Sequence, residues 1–597
     1  MDRDKQAQEP RRSSKESTKP VRNSALSSPW ITAAIAACVA AFAFRFSDWS
    51  KTQNSDRTYC YEGVATLSDT KPAARCFTVS PSGEFTAVLQ QPPASSTGVT
   101  YEILPGYVIP GLWDGHGHLL QYGEFLHSVD LFGSESADEV RARVVQYLDA
   151  HPGVGAPGEW LRGVGWDQMV LGGMPTAEWL EQDERLKGLH IMLDRVDVHC
   201  VWVSQAVLDL LGPDVPDVPG GEIVRDPGMG VFCDNAMDLI TAKWPRPDAA
   251  KKKRFIRSAM AELHKVGLVG MHDAGATPED LQLFRDMSQD SSDWTLRVHA
   301  MLECKERNTF CPDEASAVRH QDDFLSIRSV KLFGDGALGS WGSAMLDPYT
   351  DRPDTTGSLL VNASTLTSLA ASWSAAGWQV CIHAIGDLAA RLALDSLEAA
   401  LVDCHPAREP AECSQRRRFR IEHAQILHPA DRARMHALGV LPSVQPTHAT
   451  SDMAYAELRL GRERLTTEAY RLKSLLPLRP VLGSDFPVEP PDPFQGMYAA
   501  VTRRSPKTGL GPGGDAKVGF LMDEALTLDE ALHGFTGGVA YGGFMEGRAG
   551  VIQEGALADW VVLDRPLGEY GVEDLRSMRV RETWVGGRRV YAREDCR

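Results

Sequence analysis

Two histidines separated by one glycine, His116 and His118 in the stretch PGLWDGHGH, follow the apolar run YVIP at 107–110. On an extended chain residues i and i+2 share a face, so both imidazoles can reach one cation, and Gly117 between them lets the backbone approach closely. Alone, the pattern more often marks hydrogen-bonded structural histidines than ligands. It gains weight by recurring: His383 in CIHAIGD, His423 in IEHAQ and Asp485 in GSDFP each sit at or just after an apolar run, as do Lys331 in SVKLFGD and His272 in GMHDAG. Four imidazoles and a carboxylate converging on one place suit a divalent metal, zinc or a similar borderline cation, as one ion or two. Such an ion lowers the pKa of its water towards about 7 and supplies hydroxide as nucleophile. Asp485 then serves as ligand and as the base that carries a proton to the leaving group. Lys331 has two readings: an ammonium paired with Asp335, or a lysine carboxylated by CO₂ that bridges two ions. An ordinary ammonium beside two cations is disfavoured, which makes the carbamate physically reasonable.

These residues need elements to hold them. Apolar β-type runs at 267–275, 329–337, 378–387, 419–427, 438–446 and 479–487 alternate with helical stretches at 364–377, 388–403 and 429–437. Alternation of this length predicts parallel βα units, an α/β fold. In a (β/α)₈ barrel the C-terminal strand ends form the active-site face, and that is where the candidate residues fall. The two ends of the chain, about 59–107 and beyond 550, read instead as short strands with Gly, Pro and Ser turns.

The chain has 597 residues and a formal net charge of −18, a balance that argues against a nucleic-acid backbone as partner. The eleven cysteines form no CxxC pair, so paired thiolates do not hold the metal. Cys60 and Cys76 bracket a hairpin-like segment and are spaced to form a disulfide. Residues 1–28 are polar, with basic side chains outnumbering acidic ones, and the apolar segment 29–46 follows. Its fifteen-residue core, Trp30 to Phe44, spans roughly 22 Å as a helix, a little short of a ~30 Å hydrocarbon core. Trp30 and Arg45 can extend it at the interfaces. A single-pass signal anchor is the reading adopted, with a cleaved signal peptide and a buried helix as alternatives. The basic lead-in then keeps the N-terminus cytoplasmic and puts the catalytic part in the secretory-pathway lumen or outside the cell. Asn362-Ala363-Ser364 is a glycosylation sequon that agrees with this side.

The strings PGLWDGHGH, GVGWDQ, DRVDVHCVWVS, GMHDAG, VKLFGDGALGS, IHAIGD, RIEHAQ, LGSDFPVEPPDPFQGMYAAVTR and GALADWVVLD occur in this order between about 106 and 564. In this the chain resembles the metal-dependent amidohydrolase superfamily, and within it the amidohydrolase-3 group that includes N-substituted formamide deformylase. The resemblance implies a distorted (β/α)₈ TIM barrel over 109–545, with an inserted subdomain at about 130–260. It also implies a small β-sandwich formed by both chain ends, 59–108 and 546–597. His116 and His118 then match first-strand ligands, Lys331 the fourth-strand lysine, His383 and His423 the fifth- and sixth-strand ligands, and Asp485 the eighth-strand catalytic aspartate. Arg195 and His199 match a substrate-contacting stretch, from which Val198 and Ser204 depart. Trp166 and Asp167 are expected in the pocket, with a core tryptophan as the alternative for Trp166. His272 is expected behind the ligands, with Asp335 and Glu422 orienting Lys331 and His423.

The function so implied is metal-dependent hydrolysis of a carbon–nitrogen bond other than a peptide bond, in a small-molecule amide, formamide or cyclic amide. A catalytically inactive, membrane-anchored barrel acting as a binding or signalling scaffold is the alternative. Phosphoester hydrolysis shares the His-Gly-His pattern, but IEHAQ and GSDFP speak against it. Self-association into a homo-oligomer is left open.

Overall fold

A computed structural model describes residues 55–94, 101–402 and 410–594. The polar tail and the apolar segment 29–46 lie outside the described residues. Among the described residues no helix is long and apolar enough to cross a membrane.

Eight parallel strands form the central body: Leu112–Gly117, Leu268–Ala276, Arg297–Leu302, Leu325–Phe333, Gln379–Ala384, Arg420–His423, Leu441–Val444 and Val481–Leu482. They are almost wholly buried, which is why they read as continuous apolar runs rather than alternating ones. The eighth strand returns beside the first. There Gly117 bridges Phe486 in parallel, the Asp485 N–H donates to the His116 carbonyl over 2.7 Å and the His118 N–H to the Phe486 carbonyl over 2.9 Å. The TIM barrel expected from the strand–helix alternation is thus present and nearly closed.

Helices cover the barrel by presenting one apolar stripe. Ala249–Lys265, capped by Asp248, buries Phe255, Ile256, Ala259, Met260 and Leu263, spaced to fall on one side of a 3.6-residue repeat. Of these, Ile256, Ala259, Met260 and Leu263 join Leu112, Leu268, Val298 and Ile327 in the main core.

Between the first and second barrel strands lies a second sheet. Its strands are Val129–Asp130, Leu161–Trp166, Ile191–Arg195, Cys200–Val203, Gly221–Val224 and Val231–Asp234. The first three run parallel and the others pair antiparallel. Leu161, Trp166, Leu193 and Trp202 fill its own core.

The two chain ends meet in one seven-stranded sheet, in which Trp560–Leu563 from the C-terminal end pairs with Tyr101–Pro110. Phe85 lies on the outermost strand, four strands from Trp560, which in a flat sheet is about 19 Å. Their ring centroids are 6.2 Å apart. The sheet therefore coils until its halves face one another, so a single sheet encloses the apolar layer expected of a sandwich, with Phe77 and Trp560 at its centre. Arg297 at the start of the third barrel strand clamps Asp559 through Nε at 2.6 Å and Nη2 at 2.9 Å, both side chains buried, and so ties this sheet to the barrel. Disulfides join Cys60 to Cys76, as their spacing suggested, and also Cys200 to Cys233 and Cys304 to Cys311.

Candidate metal centre

The barrel delivers its polar residues where the strands stop. His116 is the second-last residue of the first strand and His118 lies just past it; Lys331 and His383 fall within the last three residues of the fourth and fifth strands, His423 ends the sixth, and Asp485 follows the eighth. The Asp485 carboxylate is the hub. Its Oδ1 is 3.5 Å from His116 Nε2 and 3.3 Å from His118 Nε2, and its Oδ2 is 3.9 Å from His423 Nδ1. His383 stands beside His423 with ring centroids 4.4 Å apart, and His116 stands 4.7 Å from the same ring. One donor atom from each of His116, His423 and Asp485 lies within 4.8 Å of the others.

Two backbone positions show what holding this geometry costs. His423 (φ 71°) and Asp485 (φ 66°) occupy the left-handed region without being glycine, a strain of roughly 1–3 kcal/mol each. Gly117 accepts the close approach of the eighth-strand loop: a Cβ there would stand 2.3 Å from the Phe486 ring.

The donors fit a cation. His116 Nε2 and His383 Nε2 are buried and make no hydrogen bond, each a penalty of about 1–3 kcal/mol unless something takes up the lone pair. Burial and the Lys331 charge pull His116 down to about 4, so its ring is neutral at neutral pH. Burial opposes ionisation of Asp485, but His116 and His118 outweigh it and hold the carboxyl well below its ordinary range. A neutral His116 beside an ionised Asp485 is the pattern of protonation that metal binding requires.

Glu422 serves a different histidine from the one expected. Its Oε2 accepts from His116 Nδ1 at 2.6 Å and from Arg420 Nη2 at 2.8 Å, while His423 Nδ1 faces Gln445 Oε1 at 3.0 Å. Strand alternation puts Arg420 and Glu422 on one face, towards the first strand. Burial works against the Glu422 charge; Arg420 and His116 overcome it and keep the carboxylate ionised. Asp335 likewise does not turn to Lys331. It accepts the backbone N–H groups of Ala344, Ile385 and Gly386 at 2.8–3.0 Å and so braces the loop after the fifth strand. Lys331 is buried with its Nζ 4.9 Å from the Phe333 ring centroid, and burial pulls it below the usual ammonium range.

A cavity of about 340 Å³ opens above these groups, walled by His118, Lys331, His383 and Asp485 from the barrel and by His199 and Asp234 from the inserted sheet. Trp166 does not reach it. It is fully buried in the inserted core, with Nε1 donating to the Leu193 carbonyl at 2.8 Å, because a strand-end indole between two packed strands finds more apolar surface there. Asp167 caps the short helix Gln168–Leu171 and borders a second cavity of about 130 Å³ that also meets Asp485. Arg195 is buried and bonds Gln168 and Asp197. Ser204 accepts the Ile191 N–H at 3.0 Å, a structural role. His272 lies behind the centre, its Nδ1 2.6 Å from Arg420 Nη1.

Sequence reasoning missed His448, whose Nε2 is 3.6 Å from Asp485 Oδ2 and whose ring lies parallel to that of His423. Its signal was present: VLPSVQPTH places it four residues beyond the seventh strand. Asp234 and Arg420 were missed as well: Arg420 opens its strand instead of ending it, and Asp234 closes the short run VFC of the inserted sheet, away from the barrel strands.

Residues 106–591 match the Amidohydrolase family. The chain belongs to that family. This amidohydrolase is 30% identical over 505 residues to the Arabidopsis thaliana protein LONG AFTER FAR-RED 3, with 81% of this chain and 82% of the relative covered. It is 26% identical over 513 residues to N-substituted formamide deformylase of Arthrobacter pascens, covering 81% and 88%. The crystal structure of an uncharacterized metal-dependent hydrolase from Pyrococcus horikoshii superposes with a TM-score of 0.67 at 25% identity, covering 86% of this chain and 98% of that one. The amidohydrolase is thus an enzyme, a hydrolase of a metal-dependent family, and the reading as an inactive scaffold gives way.

Proposed function

We propose that this amidohydrolase cleaves a carbon–nitrogen bond other than a peptide bond in a small amide, formamide or cyclic amide. The observation that carries the reading is the ionised Asp485 carboxylate set among His116, His118 and His423 at the floor of the 340 Å³ cavity. The relative named N-substituted formamide deformylase supports the bond class.

His116, His118, His383, His423 and Asp485 would hold a divalent ion, zinc being well suited to imidazole and carboxylate donors. Lys331 would join them as a carbamate where two ions are held. When bound, the ion supplies Lewis acidity to the substrate carbonyl and acidifies a water. The protein's own residues then do the rest. Asp485 accepts the water proton at Oδ2 and returns it to the departing nitrogen, which leaves as an amine. Glu422 keeps the Nδ1 edge of His116 engaged, so Nε2 stays turned to the centre. The inserted sheet walls the cavity and limits bulk water.

Elemental analysis of the purified protein, followed by an amide and formamide panel, tests this. Asp485→Asn is expected to lose roughly 10²–10⁴-fold in turnover through loss of the proton carrier. Unimpaired turnover in that variant would sink the assigned role.

We further infer that the enzyme works in an oxidising compartment, tethered through the apolar segment 29–46. Three disulfides among the described residues support an extracellular or lumenal setting.

A further inference from the structure

A disulfide-closed loop borders the catalytic cavity between the third barrel strand and the helix Pro312–Val318. Cys304 and Cys311 are joined at its base, and Glu303 and Arg307 from this stretch both line the cavity. The loop is pinned at its middle as well. Asn308 accepts the Phe333 N–H at Oδ1 and donates from Nδ2 to the Phe333 carbonyl, both at 2.9 Å. Its amide thus stands in for a neighbouring strand at the last residue of the fourth barrel strand. Asn308 (φ 54°) lies in the left-handed region, which asparagine tolerates well.

These fixings set Arg307 on an aromatic platform. Its guanidinium carbon lies 4.7 Å from the Phe333 ring centroid, and 34% of its side chain is exposed. The centroid of the same phenyl ring is 5.9 Å from that of His383 and 4.9 Å from Lys331 Nζ. One ring therefore links the guanidinium to the candidate metal centre, a span that a small substrate covers.

Arg307 has donors to spare. Among the described residues its guanidinium hydrogen-bonds Glu303 alone, through Nε at 3.3 Å, and an ion pair this exposed is weak. The two Nη groups remain, a planar fork whose geometry matches a carboxylate. Arg162, which also lines the cavity, commits one Nη group to Glu124 and the other to Asp194. Lys331 stands among the metal-ligand candidates. The carboxylates that the insert brings to the cavity are engaged too, Asp197 by Arg195 and Asp234 by His199. An anion entering the cavity therefore meets Arg307 as the cation open to it.

We propose that Arg307 is a substrate-binding residue whose two Nη groups take a carboxylate on the substrate while the scissile amide lies at the metal centre. The substrates are then acid-bearing amides and formamides, N-acylated amino acids among them. This rests on the function proposed above and narrows its substrate class. The Cys304–Cys311 loop and Asn308 position the guanidinium before binding, which reduces the entropy lost in ordering a long side chain.

The test uses the full-length, metal-loaded protein and two formamides that differ only in a carboxylate, racemic N-formylphenylalanine and N-formylphenethylamine, with their N-acetyl counterparts. The wild type is expected to favour the acid in kcat/KM about 10–100-fold, the yield of one charge-assisted contact. Arg307→Ala should bring that ratio close to one, chiefly by raising KM for the acid, with metal content and circular dichroism at the wild-type level. Arg307→Lys keeps the charge without the fork and should retain part of the preference. Glu303→Gln removes the carboxylate that competes for the guanidinium and should raise the ratio. A merely structural arginine would lower turnover of acid and neutral partner alike. A wild type that favours the neutral partner, or an unchanged ratio in folded Arg307→Ala, would overturn the anion site. Should the wild type hydrolyse none of the four, calorimetric titration with N-formylphenylalanine decides. Binding that Arg307→Ala weakens would uphold the anion site and overturn only the proposed function, whereas no binding would overturn both.

Discussion

Asp485 and Glu422 are both carboxylates buried beside histidines, yet they do different work. Asp485 faces the cavity, whereas Glu422 is sealed beneath it with Arg420, His116 Nδ1 at 2.6 Å and the Arg420 guanidinium on both oxygens. A buried carboxylate held this way fixes the tautomer of the imidazole it accepts from, and such partners commonly change metal affinity 10–100-fold. Glu422→Gln keeps the shape but removes the charge that balances Arg420. We expect its affinity for zinc to fall roughly 10–100-fold, read by competition with a chromogenic chelator. Unchanged zinc affinity in a folded variant would show that His116 needs no such partner.

At the scale of elements, the junction of the first and eighth strands sets where Asp485 lies. Asp114 accepts the Ser484 hydroxyl at 2.7 Å and the His116 N–H at 2.9 Å, so a single carboxylate couples the two strand ends. Burial raises that carboxyl to about 7. Gly117 packs directly against the Phe486 ring, which is fully buried and has nowhere to retreat. Gly117→Ala therefore should cost about 1–3 kcal/mol as an overpacked contact. It should also shift the loop carrying Asp485. Thermal unfolding and metal content measured together check this: both should drop, and a fall in stability with full metal content would show that the loop absorbs the methyl group without moving the carboxylate.

For the whole molecule, the decisive feature is that residues from Asp56 to Arg597 form one compact unit. The terminal sheet is stitched from both ends of it and bolted to the barrel through the buried Arg297–Asp559 pair. Nothing in that unit has the length and apolarity of a membrane-crossing helix among the described residues. On the tether proposed above, deletion of residues 1–50 is expected to release the protein from membranes with undiminished turnover, checked by ultracentrifugation of membrane fractions and by the amide panel. Membrane association that persists after the deletion would contradict tethering through segment 29–46.

The barrel and most of the candidate centre were legible in the chain itself. An apolar run ending in His, Lys or Asp encodes the strand and also the place where it stops, and the topology of parallel βα units sends all such ends to one face. That is why His116, His118, Lys331, His383, His423 and Asp485 could be named before any contact was known. The partners of these residues were not legible. Whether Glu422 meets His116 or His423 depends on which way the sixth strand faces the first, 306 residues away in sequence. Trp166 reads the same in a pocket or in a core until its neighbour strands are known. Asp234 belongs to a sheet whose arrival over the barrel mouth leaves no local periodicity to read. Local pattern determined the strand ends, because hydrophobic burial is written residue by residue. Only the tertiary structure decided the pairings, because hydrogen bonds and charge pairs form between segments that the chain order does not bring together.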